Sequence, residues 1–191
     1  MRSSTTLLAA LTSAVAVVAV PDVFTISARY TNSAGALVTL PTWYGDGKMY
    51  VGSTVPDGVQ TAFNYTANTT RFDLIYIHPT ASLLPSDPSD LSLPDPTFLA
   101  LNAGSSAAGS PVEFRHDAVG LGDDWILFFA RYSNLILAQS PSGRLLSTFY
   151  LRPAATATAT AADGDTSVVA WGEATASDED SGQLVSLIAV A

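Results

Sequence analysis

Phe24-Thr25-Ile26-Ser27-Ala28-Arg29-Tyr30 alternates apolar and polar side chains along its whole length. Successive side chains of an extended chain point to opposite faces, so Phe24, Ile26, Ala28 and Tyr30 share one face and Thr25, Ser27 and Arg29 the other. That is the pattern of a strand with one buried face. Comparable runs recur at 36–40, 48–52, 61–66, 72–78, 97–102 and 111–115, then at 125–132, 135–139, 144–151, 167–172 and 183–190. Turn formers lie between them, among them Asn32-Ser33-Ala34-Gly35, Gly45-Asp46-Gly47, Pro56-Asp57-Gly58 and Ser140-Pro141-Ser142-Gly143. No segment carries a sustained 3.6-residue period with helix caps, so the sequence predicts a single all-β domain of about twelve strands over 20–191.

A faint internal repeat bears on how those strands are arranged. Ala28-Arg29-Tyr30-Thr31-Asn32 returns as Ala130-Arg131-Tyr132-Ser133-Asn134. Aligning Phe24, Phe72 and Ile126 superposes three alternating strands with Phe24, Ile26, Ala28 and Tyr30 over Phe72, Leu74, Tyr76 and His78 and over Ile126, Phe128, Ala130 and Tyr132. Three units of four strands make a β-trefoil, which closes a barrel and hides sheet edges. A trefoil-like arrangement is favoured, with a β-sandwich as the alternative, because the long runs 125–130 and 145–151 also suit a sandwich core.

The 191 residues include 8 Lys plus Arg against 17 Asp plus Glu, a net charge of −9, and no Cys. An acidic chain with no basic stripe is a poor partner for nucleic acid. At its start, Arg2 precedes an apolar stretch from Leu7 to Val18, and Val17-Val18-Ala19 offers small residues for cleavage. This reads as a secretory signal peptide over 1–19, too short for a membrane span of about 20 apolar residues. Export makes two Asn-x-Thr sequons, at Asn64 and Asn68, candidate glycan sites, and alternation puts both on the face opposite Phe63 and Tyr65. Pro79 to Pro96 holds five prolines and reads as a long surface loop, and Ala154 to Ala162 as a second, Ala/Thr-rich loop. The apolar run Leu184–Val190 is shorter than a lipid-anchor tail and reads as a last strand, so the mature chain has no membrane attachment.

Catalytic motifs are missing: there is no Gly-x-Ser-x-Gly elbow, phosphate loop or His-Glu-x-x-His, and no thiol. His78 and His116 each read as a loop histidine at a strand end. A glycoside hydrolase needs two facing carboxylates, for which Glu113, Glu173 and the Asp123-Asp124 pair beside a Trp are the candidates. Asp163-Gly164-Asp165 and Asp178-Glu179-Asp180 lack the calcium-loop pattern and read as solvated turns, so neither a metal nor a cofactor is expected. Aromatic platforms offer a further chemistry. Sugars present apolar C–H faces to exposed rings, and Trp43, Tyr44 and Trp171 are the candidate carbohydrate-binding residues.

The signal peptide, Phe24 to Arg29, Leu37-Val38-Thr39-Leu40-Pro41, Lys48-Met49-Tyr50-Val51-Gly52 and Phe63, with Gly143-Arg144-Leu145-Leu146 later, resemble small secreted proteins of filamentous fungi, some labelled IgE-binding proteins. This chain departs from many of them in having no Cys. The resemblance implies a cell-surface or culture-fluid protein and assigns no activity or catalytic residue. The leading expectation is therefore a secreted, acidic, non-catalytic protein that is wall-associated or host-interacting. A lectin-like module for cell-wall or host glycans is second, and a glycoside hydrolase third.

Overall fold

The computed structural model describes residues 23–69, 74–84, 92–102, 110–117, 121–139, 143–154, 166–172 and 182–191. Among them every regular element is a strand. The first eight are β1 (Val23–Thr31), β2 (Leu37–Gly45), β3 (Lys48–Val51), β4 (Ala62–Thr69), β5 (Ile75–Ser82), β6 (Phe98–Asn102), β7 (Ser110–Pro111) and β8 (Glu113–Arg115). There follow β9 (Trp125–Ile126), β10 (Phe129–Tyr132), β11 (Leu135–Gln139), β12 (Leu145–Leu146), β13 (Phe149–Pro153), β14 (Ser167–Trp171) and β15 (Gln183–Val190). The all-β expectation holds. Ten strands close an antiparallel barrel in the order β1-β2-β4-β5-β6-β8-β3-β14-β13-β15, shut by β15 against β1. Closure satisfies backbone groups that an open sheet would leave at its edges.

Local chemistry explains how single strands serve two neighbours. The first half of β2 pairs with β1 up to Ser27↔Pro41, and the second half pairs with β3 from Thr42↔Val51 onward. Pro41, with no N–H to give, stands where the strand changes partner. β2 then turns into β3 through Asp46 and Gly47, both at positive φ (43° and 79°), the two-residue reversal that suits a twisted hairpin. The Asp46 carboxylate accepts from the backbone N–H of Gln60 (2.9 Å) and of Thr61 (2.7 Å), tying this turn to the start of β4.

The main core gathers Phe24, Ile26, Phe63, Tyr65, Ile75, Ile77, Phe114, Phe129, Phe149 and Leu187 inside the barrel. Within it, Thr42 Oγ1 donates to the Ile26 carbonyl (2.9 Å) and so accepts from the Tyr65 hydroxyl at 2.6 Å, whereas the Trp171 indole nitrogen is enclosed with no hydrogen-bond partner among the described residues. A second cluster packs Trp43, Tyr50, Ala62 and Ala154 on the other side of β2 and β3. Trp43 stacks on Tyr50 with ring centroids 4.5 Å apart and donates Nε1–H to the Gly52 carbonyl (3.1 Å).

Several expectations need correction. The strand read at 72–78 runs from 75 to 82, and its buried residues are Ile75 and Ile77 rather than Leu74, Tyr76 and His78. Phe72 lies outside the described residues. Pro79, read as the start of a loop, sits inside β5 opposite Tyr65, where the β4–β5 register shifts between Asn64 and Tyr65; a bulge of that kind accommodates the missing N–H. The run 125–132 divides into β9 and β10, with Ile126 and Phe129 buried and Phe128 and Tyr132 exposed. The run 144–151 likewise divides into β12 and β13. Ala154 is core rather than loop, while 155–162 lie outside the described residues. So does the expected signal peptide at 1–19.

Candidate functional site

The three aromatic residues proposed as a sugar platform are core residues. Trp43 is 2% exposed and Trp171 4% exposed. Tyr44, 5% exposed, stacks on Phe63 at 4.4 Å and leans on Phe114 at 5.3 Å. Consecutive residues on a strand face opposite ways, and β2 has a core on each side, so Trp43 and Tyr44 are both consumed by packing. No ring face of these three stands open for a sugar.

The aromatic surface lies elsewhere. Trp125 N–H bonds back to the Gly122 carbonyl (3.1 Å), closing a tight turn over Asp123 and Asp124 that delivers Trp125 onto β9. β9 pairs with β6 through Leu101↔Ile126 and Asn102↔Trp125, which buries Ile126 and leaves Trp125 half-buried. Phe128 follows in the break before β10 and is 49% exposed. Its carbonyl accepts from the Gln139 N–H (2.9 Å), which brings Gln139 beside it. Asp123, Trp125, Phe128 and Gln139, with Gly122 and Gly143, line an open groove of about 610 Å³ over the Ile126 floor. The Arg115 guanidinium stacks on Trp125 with its central carbon 4.5 Å from the ring centroid, and it is ion-paired to Glu113 at 3.5 Å. A cation in that position covers one ring face and fixes the orientation of the indole. The groove therefore combines two accessible aromatic surfaces, a carboxylate that accepts hydroxyl hydrogens and an amide that both donates and accepts.

A second surface centres on His116, exposed at the end of β8. The Thr97 hydroxyl donates to the Pro94 carbonyl (2.6 Å) and meets His116 Nδ1 at 2.8 Å. A hydroxyl has one hydrogen, so the neutral imidazole carries its proton on Nδ1 and presents Nε2 as an acceptor. Two clefts, of about 470 and about 530 Å³, share His116 and Tyr44 as a common wall. Burial raises the Tyr44 phenol pKa above its ordinary value, and the Asp46 charge adds to this while a Gly47 backbone hydrogen bond opposes it. Gln60, Ser82 and Ser92 face the first cleft, and Arg115, Asp117 and Leu121 the second.

The remaining candidates separate. Glu113 is engaged by Arg115, Asp123 and Asp124 are exposed in their turn, and Glu173 lies outside the described residues. Among the described residues no group of three His, Asp or Glu side chains is placed to hold a metal. The acidic turns at 163–165 and 178–180 lie outside them. Asn64 is exposed, whereas Asn68 is half-buried, with its Oδ1 enclosed and without a hydrogen-bond partner among the described residues. The two sequons are thus not equivalent. Comparisons with protein-family models, characterised proteins and solved structures find no match to this chain.

Proposed function

We propose that this protein is secreted, has no catalytic role, and binds carbohydrate of a cell wall or host surface through the Trp125–Phe128 groove. The observation that carries this reading is the pairing of a half-exposed phenylalanine and an orientated tryptophan with Asp123 and Gln139 in one open groove. Stacking on the rings takes up the apolar face of a sugar, and the carboxylate and amide fix its hydroxyls. Export is supported by the N-terminal sequence, with Arg2 followed by the apolar stretch to Val18. Protein retained inside cells with Met1 intact would overturn it.

The body under the groove we read as a β-trefoil. In support, β1–β4, β4–β5, β10–β11, β11–β15 and β15–β1 are successive contacts of a six-strand ring that lacks only β5–β10. The hairpins β2–β3, β6–β8 and β13–β14 approach one another through β3–β8, β3–β14 and β7–β14. Nuclear Overhauser contacts between 75–82 and 129–132 complete the ring on this reading, and their absence sinks it.

The functional test is a glycan array probed with the protein and with Trp125→Ala and Phe128→Ala. Binding that falls at least about tenfold in both variants, while their far-ultraviolet spectra stay β-rich, supports the groove. Equal binding by all three proteins, or none by the unaltered chain, refutes it.

A further inference from the structure

We propose that the three clefts form one continuous groove for a neutral, unbranched oligosaccharide several units long, an inference that rests on the carbohydrate reading above. The first two clefts adjoin, since Tyr44 and His116 line both. The second lies beside the third at two points. Leu121 borders the one and its chain neighbour Gly122 the other, and Arg115, which lines the second, stacks on Trp125 of the third. Each cleft, at about 470, 530 and 610 Å³, lies within the range that accommodates a small-molecule ligand and so has room for a sugar ring. A single sugar fills one of them, and a chain of sugars fills all three.

The polar groups along this path define the ligand. His116 Nε2 accepts a hydroxyl hydrogen midway, with its ring held by Thr97, and Gln60 and Ser82 offer hydroxyl and amide groups at the far end. The charges are mostly negative: Asp46 and Asp117 border the second cleft and Asp123 the third. Asp46 gives both its oxygens to backbone N–H groups, so it acts on a ligand as a fixed charge. Arg115 is the cation among the described residues of these walls, and Glu113 answers it. With a chain charge of −9, this surface repels uronates and sulfated glycans and admits uncharged ones.

The test is calorimetric titration of the full chain with neutral oligosaccharides of glucose, mannose, galactose and N-acetylglucosamine, each from monosaccharide to hexasaccharide, and with hexagalacturonate. The expected result is that Kd tightens at least about tenfold from monosaccharide to hexasaccharide in one neutral series, with hexagalacturonate at least about tenfold weaker than that hexasaccharide. His116→Ala, a substitution at an exposed position, is expected to bring the hexasaccharide value back toward that of the monosaccharide. A Kd that does not change with length overturns the continuous groove and leaves the Trp125 site standing. Tightest binding of hexagalacturonate overturns the preference for neutral chains. No binding by any of these sugars overturns the carbohydrate reading as well.

Discussion

Replacing Gly45 with alanine adds one methyl group at the most crowded point of the β2–β3 hairpin. A Cβ built there lies 2.8 Å from Trp43 Cζ3 and 2.8 Å from Tyr50 Cε2, closer than carbon atoms in proteins approach. Neither ring has an easy escape, because they stack on each other and the indole is held by its bond to the Gly52 carbonyl. Overpacking of this kind costs about 1–3 kcal/mol. In a chain of this size that corresponds to a fall in Tm of about 2–4 °C for each kcal/mol. Thermal unfolding followed in the near-ultraviolet, where stacked Trp and Tyr rings contribute, measures it. Gly35→Ala is the reference, since nothing lies within 4 Å of a Cβ there and only its positive φ of 78° penalises the change. The steric origin has its own signature: in a Trp43→Ala background the added cost of Gly45→Ala shrinks. Unchanged stability of the single variant, or strict additivity in the double one, would refute the packing of this cluster.

Tyr65→Phe removes the hydroxyl that Thr42 accepts from inside the barrel and is expected to cost about 1–2 kcal/mol in urea unfolding. Burial pushes the Tyr65 phenol pKa well above its ordinary value, outweighing the opposing Thr42 hydrogen bond. The folded-state pKa is thus raised, so this group's contribution is complete below the unfolded value near 10 and is lost as the pH climbs from there toward the folded one. Alkaline spectrophotometric titration should leave Tyr65 un-ionised until the chain unfolds, and its ionisation in the folded chain would contradict the burial. In secreted material, peptide mass mapping should find glycan on exposed Asn64 and little on Asn68; the reverse order would contradict the enclosure of Asn68. Asp46→Ala should destabilise by about 1–3 kcal/mol, because it strips acceptors from two backbone N–H groups at a positive-φ position, and Asp46→Asn should cost less.

How much the sequence revealed depended on how cleanly each strand divides its faces. Residues 24–30 set apolar against polar at every step, and Phe24, Ile26 and Ala28 are buried as the alternation implies. In Leu74-Ile75-Tyr76-Ile77 and Trp125-Ile126-Leu127-Phe128-Phe129 both parities are apolar, so period two carries no phase: Ile75 and Ile77 are buried in the first, and the break between β9 and β10 buries both Ile126 and Phe129 in the second. Trp43-Tyr44 carries the same ambiguity. A strand between two cores buries both faces, and only the tertiary pairing of β2 with β3 and β4 reveals the second core. The sign for Trp125 was present in the sequence: a large ring directly after Gly122-Asp123-Asp124 follows a polar turn and stays near the surface. The Thr97–His116 contact joins residues 19 apart through side chains on neighbouring strands, which spacing does not encode.

The indole N–H resonances of the three Trp residues, followed by heteronuclear NMR as a neutral oligosaccharide is titrated in, report whether carbohydrate binds at Trp125. Trp43 and Trp171 are enclosed and Trp125 borders the groove. The Trp125 signal is expected to move with ligand while the other two stay in place. Movement of Trp43 or Trp171 with Trp125 unmoved, or no movement at all, would contradict it.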